Sequence, residues 1–198
     1  MKTYIVLLTL LFGSLTVSAQ HVHPHFGVKG GLNIANLNLE SDADLSSKAS
    51  FYLGALAHLH ISQHFAIQPE LMYSGQGAKY GETDDKINLN YINLPILAQY
   101  MTGSGFRLQT GPQVGALVSA KVKDDGNSTD IKDEYKKIDF SWVFGASYVS
   151  NSGLGIDARY NLGLSNINDG DSKIQNRVFQ VGLFYQFSVS NAAKDAVR

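Results

Sequence analysis

The stretch Leu154-Gly-Ile-Asp-Ala-Arg-Tyr-Asn-Leu-Gly-Leu-Ser165 decides the fold. Its even positions are Leu154, Ile156, Ala158, Tyr160, Leu162 and Leu164; its odd positions are Gly155, Asp157, Arg159, Asn161, Gly163 and Ser165. Successive side chains on a strand point to opposite faces, so this is one strand with an apolar face and a small or polar face. At about 3.3 Å per residue it spans roughly 40 Å, and tilted by about 45° it covers the ~30 Å of a bilayer core.

Seven further stretches alternate in the same way: residues 26–37, 49–61, 65–76, 86–101, 106–121, 137–149 and 174–187. In 86–101 the apolar residues change phase, from Ile87, Leu89 and Tyr91 to Ile92, Leu94, Ile96, Ala98 and Tyr100, which predicts a β-bulge near residues 90–92. Short connections (62–64, 102–105, 150–153) alternate with long ones (38–48, 77–85, 122–136, 166–173). Eight antiparallel strands with short turns at one end and long loops at the other predict an all-β, up-and-down transmembrane barrel. Its short turns and both termini are periplasmic and its long loops extracellular.

Composition and the leader agree. The 198 residues, 44% hydrophobic and 17% charged, make one domain of net charge −1, with no electrostatic reason for a nucleic-acid partner. The absence of cysteine excludes a disulfide scaffold, a lipidated cysteine and a thiolate metal site. Lys2, the apolar run 4–12 and Val17-Ser18-Ala19 read as a signal peptide over 1–19, cleaved between Ala19 and Gln20. The barrel then spans 20–187 and a periplasmic tail 188–198. Nothing after the leader has the ~18 consecutive apolar residues of a spanning helix, so insertion must be as a closed barrel.

Alternation alone leaves a lipocalin-like barrel possible, with its apolar face inside. Two features put the apolar face outside. The polar face is crowded with glycine, at 27, 31, 54, 111, 115, 145, 155, 163 and 182, as the narrow lumen of an eight-stranded barrel requires. The apolar face carries aromatics at both strand ends: Phe26, Phe65, Tyr100, Phe106, Tyr148, Tyr185 and Phe187 near the short turns, and Phe51, Tyr73, Phe140 and Phe179 towards the long loops. Such girdles mark the two membrane interfaces.

Gly27-Val-Lys-Gly-Gly-Leu-Asn33, Gln68-Pro-Glu-Leu-Met-Tyr73, Tyr91-Ile-Asn-Leu-Pro-Ile-Leu97, Gly111-Pro-Gln-Val-Gly115, Ile156-Asp-Ala-Arg-Tyr-Asn161 and Phe179-Gln-Val-Gly-Leu-Phe-Tyr-Gln-Phe187 stand in an order that resembles the small outer-membrane β-barrel (porin-like, PorT-type) family of Bacteroidetes. The resemblance covers nearly all of the mature chain and implies an eight-stranded outer-membrane barrel. PorT itself is implicated in exporting proteins to the cell surface; this chain is short for it, and that role is not carried over.

Counted from the short-turn end, Glu70 and Arg159 sit equally high on strands that face each other across the barrel, with Lys29, Asp157 and His58 about one layer lower. With Arg107, these residues predict a polar layer in the lumen. Buried charges are costly unless paired, so its main expected task is to fill and close the lumen, ahead of a proton or solute path. Leu56, Met72, Leu117, Val143 and Phe184 also fall on the lumen face and argue against a water-filled pore. All six histidines fall at the periplasmic end. His21, His23 and His25 share one side of an extended segment and are a candidate transition-metal site, weighed against a plain polar leader. With no histidine near the outer leaflet to act as general base, a lipid-modifying enzyme is disfavoured. Residues 124–127 and 168–171 are oxygen-rich but lack EF-hand spacing, and read as turns.

The resulting expectation is a monomeric, non-enzymatic outer-membrane barrel without cofactors. Its lumen is filled, and it acts in envelope structure or in surface interaction through its loops. Its partners are outer-membrane lipid and, beyond that, surface ligands or envelope proteins. The alternative is a narrow channel or a component of a secretion or transport assembly.

Overall fold

The computed structural model describes residues 24–39, 45–80, 85–124, 127–169 and 173–187. Its strands are β1 (His25–Leu39), β2 (Leu45–His60), β3 (Phe65–Tyr80), β4 (Lys86–Met101), β5 (Phe106–Asp124), β6 (Asn127–Asp130), β7 (Ile138–Val149), β8 (Leu154–Gly163) and β9 (Ile174–Gln186). Leaving β6 aside, each strand pairs antiparallel with two neighbours, in the order β4-β3-β2-β1-β9-β8-β7-β5. Pairing of β4 with β5 closes the ring into an eight-stranded barrel. The short β6 pairs only with the outer end of β5, extending a hairpin beyond the barrel wall. The segments 1–19 and 188–198, the cleavage pair Ala19 and Gln20, and His21 and His23 lie outside the described residues.

The apolar face points outward. Phe26, Leu32, Leu53, Leu71, Phe144, Ile156 and Leu183 are exposed, while Lys29, Glu70, Asp157 and Arg159 are buried. Contiguous apolar exposure on this scale is untenable in water and is what a hydrocarbon surround demands. Two of the short turns are built alike. Gly105 (φ 93°) and Gly153 (φ 86°) adopt left-handed backbone, and Thr102 Oγ1 and Ser150 Oγ donate to the carbonyls of Phe106 (3.0 Å) and Leu154 (2.7 Å). In the third, Ser62 Oγ accepts from the Phe65 amide at 3.1 Å.

Three expectations are corrected. No change of face occurs on β4, whose odd residues point inward from Ile87 to Met101. The register does slip between Asn90 and Tyr91, but the extra residue is on β5: Asn90 pairs with Ser119 and Tyr91 with Leu117, leaving Val118 between them. Beyond Val118 the inward face of β5 switches from Leu117 to Ala120. Ile87, Leu89 and Tyr91 are therefore lumenal. They pack with Leu37, Ala78, Leu117, Ala120, Tyr135 and Ile167 into an apolar cap at the extracellular end. Second, the segment read as a polar loop over 38–48 is strand from Leu45 onward, and Lys48 is buried, its Nζ donating to the Gln76 carbonyl at 2.9 Å. Third, the segment 122–136 is not a free loop. It contains the end of β5, β6 and a 3₁₀ turn over Lys132–Glu134, and it tucks Tyr135 into the cap. The Lys136 amide donates to the Ile167 carbonyl (2.8 Å) and the Asp169 amide to the Glu134 carbonyl (3.1 Å), tying two extracellular connections together.

Candidate functional site

The midsection of the lumen is set by four charges from three parts of the ring. The inward positions of β1, β3 and β8 carry Lys29, Glu70, and Asp157 with Arg159. Arg159 grips Glu70 across the barrel through two parallel contacts, Nη1 to Oε2 at 2.8 Å and Nη2 to Oε1 at 3.1 Å. The same guanidinium reaches Asp157 Oδ2 at 2.7 Å, and Lys29 Nζ lies 2.8 Å from Asp157 Oδ2 and 3.4 Å from Glu70 Oε1. Two cations face two anions, all essentially without solvent contact. Buried charge survives only when paired and hydrogen-bonded in this way.

Gly31 and Gly182 are opposite each other in the β1–β9 pairing. A Cβ on either would collide with backbone across the pair, and one on Gly182 would also strike the Tyr52 hydroxyl. Through the gap Tyr52 crosses from β2 to donate to Asp157 Oδ1 at 3.0 Å. Gln68 Nε2 donates to Glu70 Oε1 at 2.7 Å. Every oxygen of Glu70 and Asp157 thus accepts at least one hydrogen bond. Neither carboxylate is left as a free base, and the arrangement is suited to holding strands together.

Lys29, Glu70, Asp157 and Arg159 are therefore in one cluster rather than two layers. His58 joins it only through Gln68, whose Oε1 is 3.3 Å from His58 Nδ1. Arg107 stands apart, donating to Gln186 Oε1 at 3.1 Å near the periplasmic end. Tyr52 and Gln68 were missed as members, although their alternation placed both on the inward face. A second polar group was also missed: Asp139 accepts from Ser165 Oγ (2.6 Å) and Asn176 Nδ2 (2.8 Å), just beneath the apolar cap. The space bounded by Lys29, Gln68, Gln99, Gln109, Arg159 and Phe184 is too tight for a water-sized sphere.

Residues 19–169 match the family described as outer membrane protein beta-barrel domain. Among solved structures, the chain is similar to Neisserial surface protein A, at 17% identity and TM-score 0.56 over 82% of this chain and 97% of that one. It is also similar to Ail, the attachment invasion locus protein of Yersinia pestis, at 14% identity and TM-score 0.53 over 83% of this chain and 99% of that one. A second structure of Ail, similar at TM-score 0.52 and 14% identity over the same shares of the two chains, holds the heparin analogue sucrose octasulfate. At these identities the likeness is one of fold. No curated protein matches the sequence.

Proposed function

The chain belongs to the outer membrane protein β-barrel family, and from that premise we propose that it is a sealed, monomeric, non-enzymatic barrel that works through its outward-facing end. It is exported by the signal peptide 1–19, and the motifs quoted above ally it with the porin-like barrels of Bacteroidetes. The observation that carries the reading is the filled lumen. The apolar cap, the Asp139 group and the charged cluster close it in successive layers, with a glutamine belt below, where Gln99 Nε2 donates to Gln109 Oε1 at 2.9 Å. In a barrel filled in this way among its described residues, the surfaces left to act are the rim and the extracellular connections.

At that rim Lys79, Lys86 and Lys123 stand side by side on β3, β4 and β5, as register partners Lys79↔Lys86 and Lys86↔Lys123. Alternation turns all three outward, above the extracellular girdle that includes Tyr73. Like charges directly opposite each other are unfavourable in a sheet, and an anionic group lying over them relieves the repulsion. Clustered phosphate or sulfate on the saccharide or lipid of the outer leaflet has that chemistry, and Ail is a barrel of this fold that holds a sulfated sugar.

The test is titration of the micelle-inserted protein with sucrose octasulfate. Saturable binding that weakens with salt and is lost in Lys79→Gln/Lys86→Gln/Lys123→Gln supports the reading. Absence of binding, or binding unchanged in the triple variant, removes the rim from it.

A further inference from the structure

The periplasmic mouth holds a group that neither the seal nor the rim uses. His25 on β1 and His58 and His60 on β2 lie on inward positions, and His25 is the register partner of His58. Their ring centroids are 4.5 Å apart (His58–His60), 5.4 Å (His25–His60) and 6.5 Å (His25–His58). Two imidazoles on one tetrahedral Zn²⁺, with Zn–N of about 2.0–2.1 Å, have centroids about 5 Å apart. Two of the three separations are close to that value, and the third, His25–His58, is longer.

A second observation concerns protonation. Gln68 gives its amide N–H to Glu70 Oε1 at 2.7 Å, which turns its Oε1 towards His58 Nδ1. An amide oxygen only accepts, so the neutral His58 ring carries its proton on Nδ1 and its lone pair on Nε2. That Nε2 is buried and has no hydrogen-bond partner, on a side chain with no solvent exposure. A histidine whose far nitrogen is held by an outer polar group, leaving the near lone pair open, is oriented as metal ligands are.

We propose that His25, His58 and His60 bind one divalent transition metal of the imidazole-favouring class, with periplasmic water completing the coordination. As they stand, no three histidine or carboxylate side chains among the described residues are placed to hold a metal ion, so the site forms only when two of the rings turn. His58 is the fixed member; His25, half-buried, and His60, exposed, turn their rings about χ1 and χ2 to meet its Nε2. The metal then clips the start of β1 to the end of β2 at the mouth. Arg107, whose charge acts on His58, opposes a bound cation and sets a ceiling on affinity.

The experiment is calorimetric titration of the mature, untagged barrel in micelles with Zn²⁺, with Co²⁺ absorption as a second readout of tetrahedral nitrogen coordination. One equivalent should bind, with affinity lowered at least about tenfold by His60→Ala or His25→Ala and raised by Arg107→Gln. Both histidine variants are at the mouth and leave the charged cluster intact, so the test does not depend on whether His58→Ala folds. Absence of stoichiometric binding overturns the proposal. So does binding that survives His25→Ala/His60→Ala, or that is lost only on removal of His21 and His23, which places the metal on the leader.

Discussion

Removing Glu70 and Arg159 together should cost less than the two single removals added. In the native cluster two cations meet two anions (Lys29 and Arg159, Glu70 and Asp157). Glu70→Ala deletes the partner of two parallel Arg159 contacts and leaves two cations sharing Asp157 with no water to help. Breaking a buried pair from one side costs about 3–5 kcal/mol. Arg159→Ala leaves two carboxylates on Lys29 and should cost a similar amount. In Glu70→Ala/Arg159→Ala, Lys29 and Asp157 remain as a balanced pair 2.8 Å apart, and the residual loss is one of packing. The double variant should therefore lose less than the two single losses added, by about 1–3 kcal/mol, the coupling expected for residues in one network. The assay is reversible urea unfolding in lipid vesicles, read by Trp142 fluorescence across the four-member cycle. Additivity within about 0.5 kcal/mol would refute the reasoning.

Tyr52→Phe, which removes only the hydroxyl on Asp157 Oδ1, should cost about 1.5–3 kcal/mol, the range for a hydrogen bond to a charged group. Gly182→Ala, which pushes a Cβ into that hydroxyl and the Gly30 carbonyl, should cost about 1–3 kcal/mol or prevent refolding; both are read from the same unfolding curves. Leu183 and Ile61 are similarly exposed, at 56% and 61%, but Leu183 lies between the girdle positions Phe179 and Tyr185 and Ile61 lies at a periplasmic turn. Leu183→Arg should therefore cost about 2–4 kcal/mol and Ile61→Arg about 0–1, whereas equal costs would argue against a hydrocarbon surround. Intact mass of the protein extracted from outer membranes should match a chain starting at Gln20; retention of residues 1–19 would contradict the leader reading.

The outward face was legible because lipid makes the same demand at every second position, so eight strands could be found by counting. The charged cluster was legible for a related reason: a charge on an inward position has few partners within reach. Its compactness was not, because the stem of Lys29 spans the layer that separates it from Glu70. Near the extracellular end the period-two signal fails. Ile87, Leu89 and Tyr91 are inward and apolar, while the Val118 bulge lies among small residues on the next strand and leaves no mark of its own. The histidines are a different case. Spacing linked His25 to His21 and His23, whereas the β1–β2 register places it against His58 and His60. That register depends on how the chain returns between β1 and β2, which alternation does not encode.

The central claim is that the lumen is sealed, and ion conductance in planar bilayers tests it most directly. The native barrel should insert without steady current, while Glu70→Ala and Arg159→Ala, having lost the grip across the midsection, should show leakage. A steady, reproducible single-channel current from the native protein would contradict the account and put transport in its place.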